Sequence, residues 1–169
     1  MRWVALIRGI GPTTHAKMSM ADLRAGCESA GFSDVRTLLA TGNVAFETAD
    51  GEEAILRAVS GVLARHGLDN AVALRRVEDL AEILAANPFP EAASDRPNHL
   101  LVHYLPRPAP DTDPAWDGPE RIAARGREAF IDYAEGVGRS KLTINVLDRL
   151  LGPGGTARNW NTSRKLCDA

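Results

Sequence analysis

The chain has 169 residues, 44% hydrophobic and 25% charged, with 20 Lys and Arg against 22 Asp and Glu for a formal net charge of -2. That length suits one ordinary domain or two very small ones, with the composition of a globular protein. It excludes a disordered chain, a collagen, a coiled coil and a strongly basic nucleic-acid binder.

The N-terminus reads Met1-Arg2-Trp3-Val4-Ala5-Leu6-Ile7-Arg8, and its apolar run from Trp3 to Ile7 is short. A secretory core needs roughly 7–15 apolar residues and a membrane span needs about 20. The two cysteines, Cys27 and Cys167, lie far apart in the chain. They read as reduced thiols, with a single bridge as the alternative. Together these features predict a cytoplasmic protein without membrane contact.

Residues 3–10 predict a first strand, ending in Arg8-Gly9, followed by a loop over 11–17. Ser19 then caps a helix, with Asp22 three residues on in a capping-box arrangement. Met20, Leu23, Cys27 and Ala30 form its inner stripe, and Gly31 stops it. Two short strands follow over 35–39 and 43–48, joined by a hairpin turn at Thr41-Gly42-Asn43. Asp50 and Glu53 open a second helix with the stripe Ile55, Val59, Val62, Leu63 and His66, closed by Gly67. A fourth strand spans 71–75.

The order over residues 3–76 is therefore β-α-β-β-α-β. This is the split βαβ, ferredoxin-like arrangement, an antiparallel sheet with both helices on one face. A helix over 78–86, buried through Leu80, Ile83 and Leu84, and a Pro- and Ala-rich connection over 88–97 occupy residues 77–97. Residues 98–169 predict a second, looser ferredoxin-like subdomain with a basic, helical C-terminal segment. Its strands span 99–105, 121–124 and 128–133, with a turn at Gly126. Prolines 106, 108, 110, 114 and 119 leave the intervening segment mostly loop. One helix is expected over 141–151, and a last one begins near 159–162. The fold class is α+β with two antiparallel sheets.

Charge is unevenly placed. Residues 136–169 hold six basic side chains (Arg139, Lys141, Arg149, Arg158, Arg164, Lys165) and two acidic ones (Asp148, Asp168), whereas the rest of the chain is acidic. An anionic contact near the C-terminus and ordinary surface scatter both account for this.

Three stretches bear on chemistry. Gly136-Val137-Gly138-Arg139-Ser140-Lys141 offers two glycines, whose backbone N–H groups can form an anion nest, before an expected helix N-terminus. Its spacing is not that of a Walker A loop. The alternative is a glycine turn with a serine cap. Thr156-Ala157-Arg158-Asn159-Trp160-Asn161-Thr162 carries more capping residues than one helix needs. Trp160 in it is read first as a core anchor, and otherwise as a stacking face. Arg8-Gly9 and the loop to Lys17 sit at a strand end, where function often gathers. His15 offers a base there, but no nucleophile partner is specified.

Two other features are read as structural. His99 and His103 are four apart on a strand, about 13 Å at 3.3 Å per residue, too far to share a metal. Phe46 and Trp3 fall where an RNA-binding ferredoxin-like sheet carries aromatics, but core packing explains both better. Neither a metal nor a cofactor is expected.

A set of motifs runs through the chain in order. They are Arg8-Gly9-Ile10, His15, Lys17, Met20, Leu23-Arg24, Thr41-Gly42-Asn43-Val44, Asn87-Pro88-Phe89-Pro90, Gly136-Val137-Gly138-Arg139-Ser140-Lys141-Leu142, Thr156-Ala157-Arg158-Asn159-Trp160-Asn161-Thr162 and Lys165-Leu166. In these the chain resembles the bacterial family catalogued as domain of unknown function 1697. The resemblance covers nearly the whole chain, with the last two long motifs the most specific. It implies a two-part α+β fold related to ferredoxin-like domains, and implies no activity. The chain departs from the family after Arg8-Gly9-Ile10, where Gly11-Pro12-Thr13-Thr14 replaces the usual Asn-Val-Gly-Gly.

The leading functional expectation is a protein that binds a small anionic, phosphate-bearing molecule at basic loop–helix junctions. Its candidate ligand residues are Arg8, Lys17, Asn43, Arg139, Ser140, Lys141, Arg158, Asn159, Asn161 and Thr162. An enzyme of group-transfer type using the same pocket, and a nucleic-acid or protein interaction module, are the alternatives. The molecule is expected to be a monomer or a homodimer.

Overall fold

A computed structural model describes the whole chain, Met1–Ala169. The chain forms two compact units, Met1–Leu80 with Asp168–Ala169, and Ala81–Cys167. No helix is long and apolar enough to cross a membrane.

The first unit runs β1 (Arg2–Ile7), α1 (Pro12–His15), α2 (Met20–Ser29), β2 (Ser33–Leu38), β3 (Asn43–Glu47), α3 (Glu52–Arg65) and β4 (Val72–Arg76). Its four strands lie in the order β2-β3-β1-β4, every neighbouring pair antiparallel. Apart from α1, this is the β-α-β-β-α-β arrangement that the periodicity predicts. Trp3, Ala5 and Ile7 of β1, with Val44 and Phe46 of β3, pack against Leu23 and Cys27 of α2 and Ile55, Val59 and Val62 of α3. Phe46 lies fully buried opposite Trp3 and stacks on Phe32 at 4.3 Å between ring centroids. These aromatics are core, not an RNA platform. Burial pushes the Cys27 thiol up to about 12, which keeps it protonated at neutral pH. Neither cysteine is disulfide-bonded.

Local chemistry explains the element ends. The Ser19 hydroxyl accepts from the Asp22 N–H while the Asp22 carboxylate accepts from the Ser19 N–H, the reciprocal capping box. Gly42 takes φ 83 in the β2–β3 turn, and a Cβ there would stand 2.6 Å from the Ile10 side chain. Only glycine meets both conditions. At Gly26, α2 runs close against Val62 of α3. A Cβ on it would lie 2.4 Å from Cγ1 of Val62, which is itself buried. Gly26→Ala should therefore destabilise the fold by about 1–3 kcal/mol through overpacking, despite the better helix propensity of alanine. A urea midpoint at or above wild type would refute that.

Five details of this unit differ from the sequence reading. The first strand ends at Ile7, and Pro12 opens a helical turn where a loop is expected, as its fixed φ allows at N1. Gly51, not Asp50, caps α3, with Glu52 and Glu53 in its first turn. Ala30 is exposed rather than part of the α2 stripe, and His66 is only half-buried.

Helix α4 (Val77–Ala85) continues directly from β4, with Leu80 and Leu84 buried and Ile83 half-buried. The second unit then runs α5 (Pro90–Asp95), β5 (Leu100–Tyr104), β6 (Arg121–Arg125), β7 (Glu128–Asp132), α6 (Ile144–Leu151), β8 (Thr156–Asn159) and α7 (Trp160–Leu166). Its sheet has the order β6-β7-β5-β8, also antiparallel throughout. The strand order repeats that of the first sheet. The helix that would join its first two strands is replaced by the proline-rich segment from Leu105 to Glu120. Leu142, Leu147 and Leu151 pack there against Ala129, Ile131 and Tyr133 of the sheet side.

The sequence reading needs three corrections in this unit. Helix α5 interrupts the expected connection, again with proline at its first position. The α6 helix begins at Ile144 behind the N-cap Thr143, three residues after Lys141. Strand β8 is an addition, formed where Thr156–Asn159 pairs with β5.

A charged network fixes α5 to the sheet. Asp132, 1% exposed, accepts from Arg96 at 2.8 and 2.5 Å and from Arg121 at 2.7 and 3.1 Å. Arg121 also reaches Glu91 of α5 and lies 4.3 Å from the Phe89 ring centroid.

Candidate functional site

The 136–141 motif forms one wall of a cavity in the second unit. Gly136 takes φ 90 just after β7, and its N–H donates to the Tyr133 carbonyl at 2.8 Å. The Ser140 N–H donates to the Val137 carbonyl at 3.1 Å, and the Ser140 hydroxyl accepts from the Leu142 N–H at 3.0 Å. The loop thus spends these amides on its own turns and does not feed directly into a helix N-terminus. Gly138 has ordinary backbone, and a Cβ on it would meet nothing. The loop also brings the side chains of Arg139, Ser140 and Lys141 to the cavity.

The opposite wall is Ala115-Trp116-Asp117-Gly118-Pro119-Glu120. With Glu135, Gly136, Arg139, Ser140 and Lys141 it encloses about 660 Å³, within the range of small-ligand pockets. Glu120, 8% exposed, bridges the two walls. Its carboxylate accepts from the Ser140 hydroxyl and from the Trp116 indole N–H, the latter at 2.8 Å. A Cβ on Gly118 would fall 2.5 Å from Trp116 Nε1 and 2.6 Å from Glu120 Oε2, so this residue must stay small for the pair to form. Burial pushes the Glu120 carboxyl up, but the hydrogen bonds from Ser140 and Trp116 outweigh it and hold it below the usual range. Glu120 is accordingly ionised at neutral pH. At the far end of the loop, the buried Tyr133 hydroxyl donates to the Leu142 carbonyl at 3.0 Å. Burial, with the Glu120 charge in addition, raises the Tyr133 phenol to about 12, so it remains a donor.

Arg139 and Lys141 line the cavity and are exposed. Neither side chain is engaged by an ion pair or hydrogen bond. The pocket therefore holds two available cations, an ionised buried carboxylate, two further carboxylates at Asp117 and Glu135, and an aromatic wall.

The other sequence-predicted residues are dispersed. Arg8, Lys17 and Asn43 belong to the first unit. Arg8 follows β1, and its carbonyl accepts from Asn70 Nδ2 at 2.7 Å. Lys17 is exposed, and its carbonyl lies 3.1 Å from His66 Nδ1. Asn43 is fully buried and donates to the Leu38 carbonyl at 2.9 Å and the Thr41 hydroxyl at 3.1 Å, closing the hairpin. In the second unit Arg158 is 7% exposed on β8, bonded to the Thr156 hydroxyl at 2.7 Å and the Ala157 carbonyl at 2.9 Å. Burial lowers its guanidinium to about 10, leaving it charged at neutral pH. Asn159 caps α7 by accepting from the Thr162 N–H at 2.9 Å, and Asn161 donates to Asn98 at 3.1 Å.

The chain matches the family described as Protein of unknown function (DUF1697) over residues 1–130, most of its length. It belongs to that family. The match ends inside β7, so the 136–141 and 156–162 motifs lie beyond it, although the sequence reading ranks them the most specific. Among solved structures, that of the conserved bacterial protein SP0830 from Streptococcus pneumoniae is similar to this DUF1697 chain at 18% identity. The TM-score is 0.75, with 99% of this chain and 96% of that one covered. At such identity the likeness shows the fold alone. No curated protein matches the chain.

Two more hollows occur on the second unit of the DUF1697 chain. One, of about 770 Å³, lies between the Leu105–Pro110 segment and Arg149–Gly154, and its surface is mostly apolar. The other, of about 520 Å³, is a shallow groove where Trp160 and Arg164 of α7 meet Ala81, Leu84 and Ala85 of α4. Trp160 is half-buried there, not the fully buried anchor that the sequence suggests. Trp160→Ala should therefore cost about 1–2 kcal/mol in chemical denaturation, below the 3–5 kcal/mol of a fully buried aromatic. A loss in that higher range would place the indole in the core.

Proposed function

We propose that this DUF1697 protein binds a small molecule in the Trp116–Lys141 cavity and holds its anionic, phosphate-bearing group with Arg139 and Lys141. The observation that carries this reading is that two cations with no partner line one wall of a half-open cavity of about 660 Å³. An anion there replaces water around both charges, and the partly enclosed site strengthens the attraction. Ser140 contributes by fixing the loop, since its hydroxyl is held by Glu120 on one side and by the Leu142 N–H on the other. The unbonded thiols suit a reducing, cytoplasmic setting.

Calorimetric titration with inorganic phosphate and with a mononucleotide at low ionic strength tests this reading. Lys141→Ala and Arg139→Ala should each weaken binding about fivefold or more, the equivalent of about 1 kcal/mol for an exposed charge. Raising the salt to about 1 M, where screening acts within roughly 3 Å, should weaken the wild type as well. Binding indifferent to both substitutions would refute the assignment.

A further inference from the structure

The charges of the cavity call for more than an anion. Asp117, Glu120 and Glu135 line it together with Arg139 and Lys141, so carboxylates outnumber cations. Glu120 is the most constrained of the five, buried and held by two donors. Each carboxylate oxygen of Glu120 receives one of these bonds, and a carboxylate oxygen can accept two. The Glu120 backbone N–H also bears on the carboxylate, which leaves at least one acceptor position open. Beside it stands the Trp116 indole, whose face attracts cations and whose N–H is already turned toward Glu120. An ionised carboxylate next to an indole is a recognition pair for an ammonium group. The exposed guanidinium and ammonium of Arg139 and Lys141 form the complementary pair for an anion.

Building on the anion-binding reading above, we propose that the ligand is a small zwitterion, a phosphate ester that also carries a protonated amine. The amine faces Glu120 and Trp116, and the phosphate faces Arg139 and Lys141. A ligand with anionic groups alone would leave the carboxylate side of the pocket facing a like charge, which disfavours it. A zwitterion satisfies both sides, and the internal Ser140–Glu120–Trp116 bonds preorganise the amine side before the ligand arrives.

The test compares phosphate esters that differ only at the amine. Phosphoethanolamine should bind the wild-type protein about tenfold more tightly than ethyl phosphate, measured by calorimetry or by saturation-transfer NMR. Glu120→Gln should bring the two affinities within about twofold of one another, and Glu120→Asp, which keeps the charge, should retain a preference for the amine. Because each variant is read as a ratio of two ligands, a general loosening of the pocket cancels. If Glu120→Gln fails to fold, the wild-type ratio and the Glu120→Asp ratio decide. Equal binding of the two esters to wild type would overturn the zwitterion inference while leaving the anion reading intact. Binding of neither ester would overturn both. A ratio unchanged in folded Glu120→Gln would remove Glu120 from the amine site and with it the inference.

Discussion

Replacing Asp132 with alanine should destabilise the second unit by about 2–4 kcal/mol at neutral pH. The carboxylate is 1% exposed and receives two arginines at once, Arg96 and Arg121. Its loss removes several charge-assisted hydrogen bonds, leaves Arg96 without its carboxylate and leaves Arg121 with Glu91 alone. Arg96 and Arg121 are 28% and 46% exposed, so both can rehydrate in part, which holds the cost below that of a fully buried pair. The effect has a defined pH dependence. The Arg96 hydrogen bond holds the Asp132 carboxyl below the usual aspartate range, with Arg121 adding to it and burial opposing. A depressed carboxyl contributes its stability above the unfolded-state value, about 3.9, and loses it as pH falls through the folded-state value. Wild type and Asp132→Ala should therefore converge in denaturant midpoint on acidification. A gap that stays constant down to about pH 2 would mean that lost packing, not charge, is responsible.

Phe46→Ala should cost about 3–5 kcal/mol in the first unit. Phe46 is fully buried on β3, stacked on Phe32 with ring planes 8° apart, and set in a cluster with both helices. Its removal leaves a cavity that a close-packed sheet–helix interface cannot collapse to fill. Phe46→Leu should recover most of the loss, because it restores apolar volume without the stacking geometry. If Phe46→Ala lost under about 1 kcal/mol, as a surface change does, the ring would be accessible and the platform reading of this sheet would revive.

The parts of the fold that were legible are those whose signals are local. The stripe Ile55, Val59, Val62 and Leu63, the Ser19–Asp22 box and the Gly31, Gly67 and Gly126 turns each follow from a few adjacent residues, and the structure has them all. Strand β8 was not legible, because Thr156-Ala157-Arg158-Asn159 has no apolar alternation. It becomes a strand only because β5 offers a free edge beside it. The late start of α6 has a similar cause. The Ser140 side chain bonds the Leu142 N–H, a local turn that competes with helix over 141–143. For the candidate site, the glycine-flanked Arg139, Ser140 and Lys141 stand out in the sequence by composition. Glu120 and Trp116 do not. They lie in a proline-rich segment with no period, and the bond of Glu120 to Ser140 joins residues 20 apart in sequence. Asn43 and Asn159 are a different lesson. The sequence sets Asn43 in a hairpin turn and Asn159 in a run with more capping residues than one helix needs, which makes both ligand candidates, and the structure uses each of their side chains to close a turn or cap a helix.

The ligand-binding assignment to the second unit is tested most directly by mapping amide chemical shifts of the labelled 169-residue chain during titration with phosphoethanolamine. The account predicts saturable shifts concentrated in residues 115–120 and 135–141, reduced in Lys141→Ala. Shifts scattered over both units, confined to other residues, or absent at millimolar ligand would contradict it.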